Sequence, residues 1–510
     1  MRRQGLLGID LGTGSVKALL VDDRGATLGR GSAEHPLHHP RPGHAEQNPD
    51  DWWTATGAAV REALAQSSGA EVAGIGLSGQ MHGTVLLGRD ARPLCPAVIW
   101  ADTRSGDEAR EIGEAVGRER LIEVTGSPVA SGFQAATIRW MASHRPEVWA
   151  DVAHVLLPKD EIRRRLTGEI ATEPSDASGT LLLDVTTRDW AQPVLDAVRV
   201  SRGQLPRIVD SDAQTGTLTA EAARHLGLGA GIPVFAGAGD APAGALGAGV
   251  VDADAMLLTI STGAQVFAPI STVRIDRQGR IHTFCGVASN GGGGGRGAGW
   301  YLMGATMVAG LAMRWLRDAV FGLDPAGAYA RMTEWAAAVE PGAGGLVFLP
   351  YLAGERTPHM NANARGVLLG LTADHGRGNL VRAVMEGVAY ALLDAYDVVR
   401  AAGARPRRIV LAGGGAQSPL WRRIVADVFG LTVSPLATAE QSALGAALLA
   451  GAGLGRFDLA ETAQRWAAYG DPVDPAPSNA ARYAELTGIF RQAYLHHSAD
   501  FDALTRIDRG

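Results

Sequence analysis

The chain has 510 residues, of which 46% are hydrophobic and 20% are charged, and its net charge is −6. One hydrophobic core rarely serves so long a chain, so two or more domains are expected. No long basic run marks a nucleic-acid partner, and no run of 18 apolar residues predicts a membrane span.

The two cysteines, Cys95 and Cys285, stand outside any Cys-x-x-Cys pair. They predict neither a metal cluster nor a disulfide framework, and they favour a reducing compartment such as the cytoplasm. The basic start Met1-Arg2-Arg3 is followed by Asp10 and Lys17 inside the apolar stretch, so no signal peptide is predicted.

The first candidate motif is Asp10-x-Gly12-Thr13-x-x-x-Lys17, in the turn of a β-hairpin predicted over residues 5–21. Glycine lets the backbone of such a turn approach a polyphosphate, and the turn's N–H groups can point at phosphate oxygens. Thr13 adds a hydroxyl donor, and Asp10 suits a hydrated Mg²⁺. The alternative is a plain hairpin with a solvated carboxylate, and the spacing is not that of a Walker A loop.

The opening pattern recurs near residue 255, where strand 255–260, the turn Ser261-Thr262-Gly263-Ala264 and strand 265–270 follow one another. This echo predicts two similar halves, each beginning with a β-hairpin, and divides the chain into domains 1–250 and 251–510. The alternation of strands and helices predicts an α/β architecture. The glycine-rich run at 290–299 predicts a long hairpin turn.

The second candidate is Asp240, which follows the predicted strand 234–236 and lies among small residues. A carboxylate just past a strand end is open to a ligand and suits a general base that accepts a hydroxyl proton in phosphoryl transfer. The alternative is an N-cap of the following helix, with Pro242 in its first turn. Both roles are compatible.

The segment Gln80-Met81-His82-Gly83 follows a predicted strand at 72–77. Gln80 and His82 are suited to hydrogen-bond sugar hydroxyls, and Met81 to cover an apolar face. A lone histidine is, however, more often structural.

A glycine run, Gly413-Gly414-Gly415, follows strand 409–411 and leaves room for a flat ring or a phosphate, although glycine also serves an ordinary strand-to-helix turn. The pair Glu355-Arg356 before Thr357-Pro358 is consistent with a turn-fixing ion pair.

Taken in this order, the motifs resemble those of the FGGY carbohydrate kinases over about residues 6–452. The resemblance implies two ribonuclease-H-like (actin-like ATPase) α/β domains that face a central cleft. It is most specific toward the members that phosphorylate D-xylulose to D-xylulose 5-phosphate with ATP and Mg²⁺. The stretches that carry it are Glu46–Pro49, Gln80–Gly83, Leu156–Asp160, Ser175–Thr180 and Leu349–Pro358.

The resemblance also implies site residues. Asp240 is matched to the general base, and Asp10 to a catalytic acidic residue that holds Mg²⁺ through water. The sugar-binding residues that follow are Gln80, Met81, His82, Trp100, Asp102 and Asp240. Residues matched to ATP binding are Gly12, Thr13, Lys17, Thr262, Gly263, Gly310, Gly414 and Gly415. Sugar binding falls to the first domain and nucleotide binding to the second, and family members are often homodimers.

Four positions depart from the pattern of the D-xylulose kinases and leave the identity of the sugar open: Ala101, Thr137, Ala241 and Ser261. One alternative is a kinase for L-ribulose, L-xylulose or glycerol. Another is an ATP-driven binding protein like actin or the heat-shock chaperones, and a third is an inactive sugar sensor. Asp240 and the Met81-His82 pair argue against the ATP-driven binding protein, which would not require them, and Asp10 and Asp240 argue against the inactive sensor.

Overall fold

The computed structural model describes residues 4–287, 299–438 and 440–508, which fall into two compact units. The first unit comprises Met1–Asp252, Pro269–Tyr301 and Thr438–Ala468, and the second comprises Ala253–Ala268, Leu302–Ala437 and Tyr469–Gly510. The predicted boundary near residue 250 gives each domain one continuous segment, whereas each of these units combines three segments. The predicted boundary stays a prediction. Apart from Gly299, the glycine-rich turn predicted at 290–299 lies outside the described residues.

The first unit is built on a seven-stranded mixed sheet. Gln4–Leu11 and Ser15–Val21 form the predicted antiparallel hairpin, and Glu71–Gly79 runs parallel to the first of these strands. Six strands follow one another in the order Gln214–Thr217, Pro233–Phe235, Glu71–Gly79, Gln4–Leu11, Ser15–Val21 and Thr27–Glu34, and Ala238–Gly239 pairs separately with Glu71–Gly79.

Short strands and helices complete this unit. The strands are Glu46–Gln47, Val85–Leu87, Ala97–Val98, His154–Leu156, Ala171–Thr172, Leu183–Asp184, Asp189–Trp190, Arg207–Ile208 and His282–Cys285. The helices are Pro49–Gln66, Gly106–Val116, Arg118–Thr125, Gln134–His144, Pro146–Trp149, Pro158–Thr167, Pro174–Ala177, Gln192–Val198, Ala220–Leu226, Asp240–Gly247, Gln441–Gly453 and Leu459–Trp466, with 3₁₀ turns at Ser178–Thr180 and Arg202–Gln204.

Both faces of this sheet are buried, because successive side chains of a strand point to opposite sides. Leu7, Ile9 and Leu11 belong to an apolar cluster with helix Pro49–Gln66, whereas Leu6 belongs to a cluster on the opposite face. Helix Gln441–Gly453 packs on that second face.

Two glycines allow the close approach of that helix. A Cβ at Gly8 would lie 1.8 Å from the carbonyl oxygen of Ala443, and one at Gly76 would lie 1.8 Å from that of Ala446. The strand glycines therefore bring residues 441–453 back onto the first unit's sheet.

The second unit repeats the hairpin. Ala255–Ile260 and Ala264–Ile270 pair antiparallel, as predicted, and Arg408–Ala412 runs parallel to the first of them. Five of the six strands of the sheet follow one another in the order Trp300–Thr306, Ala264–Ile270, Ala255–Ile260, Arg408–Ala412 and Thr432–Pro435, and a separate two-stranded sheet joins Val347–Leu349 to Val367–Leu369. The helices are Gly310–Trp315, Leu316–Val320 (a π-turn), Ala328–Ala337, Arg377–Ala401, Gly414–Gln417 (3₁₀), Pro419–Phe429 and Pro477–Asp508.

Candidate active site

Three neighbouring strands of the first unit end at one edge of the sheet and carry the predicted catalytic residues. Asp10 pairs in register with Ser78 of the parallel strand Glu71–Gly79, and Ala238 pairs with the same serine from the other side. Asp240 follows two residues later. The carboxyl ends of parallel strands are where open α/β sheets bind their ligands.

The pKa of Asp240, at this edge of the sheet, is far above its ordinary value. Burial, and after it the negative charge of Asp10, raise the pKa of Asp240 from 3.8 to about 7, against the opposing effect of the N–H groups of Ala241 and of Asp240 itself. Burial also raises the pKa of Asp10, while the Ser78 hydroxyl, which donates to Asp10 at 2.9 Å, and the charge of Lys17 lower it. Two carboxyl groups of one site thus repel each other, and Asp240 is poised between its two protonation states at neutral pH.

Asp240 is the first residue of helix Asp240–Gly247, and Gly239 is the N-cap. The N-cap alternative for Asp240 is therefore wrong by one position. A carboxylate in the first turn still gains from the positive end of the helix dipole.

Met81 lies beside Gly239, directly before the candidate base, and His82 lies beside Gly179. Met81 is 4% exposed, and a Cβ at Gly239 would lie 2.9 Å from its sulfur. His82 has a φ of +72° and bonds through Nδ1 to the carbonyl oxygen of Gly179 at 2.6 Å, which requires a proton on Nδ1. The structure brings Met81 next to Gly239, directly before Asp240, and the contact of Met81 and His82 with a sugar stays a prediction.

Three other predicted sugar ligands have their polar groups engaged by the protein. The side-chain amide of Gln80 bonds to other side chains of the first unit. Trp100 is 44% exposed, and its indole N–H donates to Thr13 Oγ1 at 2.9 Å. Asp102 is buried and accepts hydrogen bonds from the Arg104 guanidinium and the Ala45 N–H. The sugar contacts proposed for these three residues stay predictions. The hydrogen bonds of Asp102 stabilise the loop that contains it.

The first phosphate turn lies between the two strands of the first hairpin. The N–H of Gly12 donates to the carbonyl oxygen of Ser15 at 3.0 Å, and Lys17 pairs in register with Asp10. Gly12 and Thr13 are both partly exposed. This turn thus presents backbone and hydroxyl groups beside the Asp10 carboxyl.

A cavity of about 610 Å³ in the second unit collects four of the five predicted nucleotide residues there, namely Thr262, Gly310, Gly414 and Gly415. The fifth, Gly263, lies in the adjoining hairpin turn, where a Cβ would be 2.6 Å from the carbonyl oxygen of Thr306. The sequence reasoning missed Arg314, Tyr329 and Trp421, which also line the cavity, because no turn or glycine motif marks them.

Glu355 fixes a turn of the second unit through backbone groups. It is 3% exposed, and its Oε1 accepts hydrogen bonds from the N–H groups of Met307 at 2.8 Å and Arg356 at 2.7 Å. Burial raises its pKa to about 7, against the opposing effect of these two N–H groups and of the charge of Arg356. Residues 309–311, just beyond Met307, bond to the carbonyl oxygens of Ser261 and Thr262 in the second hairpin turn.

The sequence reasoning also missed a buried charge network behind the candidate base. Lys159, which is 0% exposed, lies 2.8 Å from Asp160 and 3.6 Å from both Glu173 and Asp176. Ser175 of this segment accepts a hydrogen bond from the N–H of Gly239. In the sequence, this network is indicated only by the charged residues within the motifs at 156–160 and 175–180.

Among the described residues, no cluster of three or more His, Cys, Asp or Glu side chains is arranged to bind a metal ion. None of the helices in the described part of the chain is both long and apolar enough to cross a membrane.

Comparison with known proteins identifies the family. The N-terminal domain of the FGGY family of carbohydrate kinases matches residues 6–247, and its C-terminal domain matches residues 261–454. A xylulose kinase of Escherichia coli K12 is 39% identical over 87% of this chain and 89% of its own length.

Solved structures agree with this assignment. A xylulose kinase from Rhodospirillum rubrum superposes with a TM-score of 0.90 at 30% identity, covering 98% of this chain and 100% of its own. A gluconate kinase from Lactobacillus acidophilus superposes with a TM-score of 0.92 at 26% identity, with 98% and 100% covered. The chain, with its two-domain α/β fold, belongs to the FGGY family of carbohydrate kinases.

Proposed function

We propose that the protein is an ATP-dependent xylulose kinase that transfers the γ-phosphoryl group of ATP to the 5-hydroxyl of D-xylulose and yields D-xylulose 5-phosphate. The observation that carries the proposal is the placement of Met81 against Gly239, directly before Asp240, with His82 next to Met81 in the chain. A sugar-binding pair next to a titratable carboxylate suits a hydroxyl acceptor. The identity to the xylulose kinase of Escherichia coli supports the choice of sugar.

In this proposal, Asp240 accepts the proton of the attacking hydroxyl. A base is most effective when its pKa lies near the working pH, and a pKa of about 7 meets that requirement. The turn at Gly12 and Thr13 is assigned to the phosphates, and the cavity of the second unit is assigned to the adenosine part of ATP. The protein contributes mainly positioning and electrostatic stabilisation, as is usual for phosphoryl transfer.

Magnesium is part of the proposal, held by Asp10 through water. The two mutually repelling carboxyl groups, Asp10 and Asp240, fit a cation nearby, and the lack of a third ligand among the described residues fits one that arrives with ATP. When bound, Mg²⁺ neutralises charge on the phosphates.

The activity is expected to depend on the protonation of Asp240. Because its pKa is raised to about 7 and the base must be deprotonated, kcat/KM should rise with pH from 5.5 and level off above about pH 8. Steady-state rates across pH 5.5–9 at saturating ATP check this. A flat profile through neutrality would remove the general-base role.

The nucleotide cavity can be tested at a glycine with free space beside it. A Cβ at Gly414 meets no heavy atom within 4 Å, so Gly414→Leu should extend into the cavity without straining the fold. We expect KM for ATP to rise about tenfold or more, with KM for D-xylulose and Tm unchanged. The control is Gly488→Leu in helix Pro477–Asp508, where a Cβ also has free space. An unchanged KM for ATP would exclude this cavity as the nucleotide site.

The sugar is identified by ATP turnover across a panel that contains D-xylulose, L-xylulose, D- and L-ribulose, glycerol, D-gluconate and a blank without sugar. Selective turnover with D-xylulose supports the proposal. Selectivity for another sugar keeps the kinase and makes Ala101, Thr137 and Ala241 the candidates for the changed specificity. Turnover equal to the blank throughout would favour an ATP switch or an inactive sensor.

A cytoplasmic location and a homodimer complete the proposal. The location rests on Cys95 and Cys285, which are both free thiols. The oligomeric state is measurable by light scattering.

A further inference from the structure

Two features fix the backbone at Gln47: its pairing in a short strand ladder and the capped start of the helix that follows it. Its neighbour Asn48 caps helix Pro49–Gln66 by accepting a hydrogen bond from the N–H of Asp50 at 3.0 Å. Gln47 itself pairs in register with Ala97 in a short antiparallel ladder. Its side chain is 0% exposed, so its amide can bond only to protein groups.

The amide of Gln47 joins three separate segments of the first unit. Its oxygen accepts hydrogen bonds from Trp52 Nε1 at 3.1 Å and from Gln80 Nε2 at 2.8 Å. Its nitrogen donates to the carbonyl oxygen of Thr13 at 2.6 Å and lies 3.4 Å from His35 Nδ1. Because the oxygen and both N–H groups of this buried amide are used in hydrogen bonds, the side chain has one preferred orientation.

Gln80 closes the same network from the other side. The N–H of Gln80 donates to the carbonyl oxygen of Leu11 at 2.8 Å, and its side-chain oxygen accepts a longer bond of 3.4 Å from the Thr13 hydroxyl. The Trp100 indole donates to that hydroxyl, so the hydroxyl hydrogen is directed toward Gln80. The phosphate turn and the segment that carries Met81 and His82 thus share one hydrogen-bonded ring.

We propose that Gln47 is a positioning residue that couples the sugar-binding segment, through Gln80, to the phosphate turn, through Thr13. The inference rests on the proposed function, because it assigns phosphate to the turn and sugar to Met81 and His82. Misplacing one reactant by about 1 Å can cost about 10²-fold in rate, so a residue that fixes both segments acts on kcat.

Gln47→Glu is the sharpest variant, since it has nearly the same shape and keeps both bonds to its side-chain oxygen. Once ionised, it loses the donation to the Thr13 carbonyl and sets two oxygens against each other where the bond is 2.6 Å; because burial favours the protonated form, kcat is compared at a pH high enough to ionise it. We expect kcat to fall about 10²-fold while KM for D-xylulose stays within about twofold, since the contacts of Met81 and His82 remain.

Gln66→Glu is the matched control at the far end of the same helix. Gln66 Nε2 donates to the carbonyl oxygen of Arg30 at 2.7 Å, an exposed amide-to-carbonyl bond that does not touch the phosphate turn. Its kcat should stay at the wild-type value. An equal loss in both variants would show a general effect of stability and would overturn the inference.

A double-mutant cycle with Gln47→Leu and Gln80→Leu decides the matter even if Gln47→Glu does not fold. If Gln47 and Gln80 act through one hydrogen-bonded ring, the double variant should lose no more kcat than the worse single variant. If the two residues act independently, the fold-losses of the single variants should multiply. Multiplied losses, or full kcat in Gln47→Glu, would overturn the inference. Wild-type turnover is measured first, and its absence with every sugar would overturn the proposed function instead.

Discussion

The Asp240→Asn variant is expected to lose about 10²–10⁴-fold in kcat while its fold and its KM for D-xylulose are retained. Asparagine keeps the shape of the side chain and can still begin helix Asp240–Gly247, but it cannot accept the hydroxyl proton. The measurement is kcat at saturating ATP and sugar, with circular dichroism to confirm folding.

The same variant has a second signature in stability. Because the folded state raises the pKa of Asp240 from 3.8 to about 7, it binds more protons than the unfolded state between these values, and stability falls as pH rises through this window. Asp240→Asn removes that penalty, so its Tm should exceed the wild-type Tm at pH 8, and the difference should disappear toward pH 4.

Asp212→Asn is the matched control, since burial also raises the pKa of Asp212 and it lies outside the predicted site residues. Its kcat should stay at the wild-type value. Near-full activity in Asp240→Asn would remove the general base from the account.

Lys159→Met is expected to lower the free energy of unfolding by about 3–5 kcal/mol, since removing one partner of a buried ion-pair network leaves uncompensated charge. Three carboxylates, Asp160, Glu173 and Asp176, surround this lysine, and Arg163, at 3.0 Å from Asp160, is the other cation of the network. Methionine keeps most of the volume, so the loss reports charge rather than packing. The urea midpoint, with the slope checked for a common two-state transition, measures it.

Arg110→Ala provides the contrast, because Arg110 forms exposed ion pairs with Asp107 and Glu114. Exposed pairs contribute little, so its midpoint should stay at the wild-type value. If Lys159→Met and Arg110→Ala shift the midpoint equally, the buried network does not stabilise the segment behind Asp240.

The local architecture of the site could be predicted from the sequence. The hairpins at Gln4–Val21 and Ala255–Ile270 form where short apolar runs flank a turn of small residues, since both signals are local. The same holds for Asp240, because a strand end followed by small residues and a helix is a local pattern.

Long-range pairings could not be predicted in this way. Gln80 precedes Met81 in the chain, and this position predicted that Gln80 binds the sugar. In the structure the side-chain amide of Gln80 bonds instead to Gln47, which is 33 residues away. The return of helix Gln441–Gly453 to the first unit depends on Gly8 and Gly76, whose role appears only when the sheet register is known.

The most direct test of the central claim is the stoichiometry of ADP and sugar phosphate formed by the wild-type protein with ATP, Mg²⁺ and D-xylulose. We expect one D-xylulose 5-phosphate for each ADP, with both products lost together in Asp240→Asn. ADP formation without phosphorylated sugar would contradict it, since that result would mean ATP turnover with no hydroxyl acceptor.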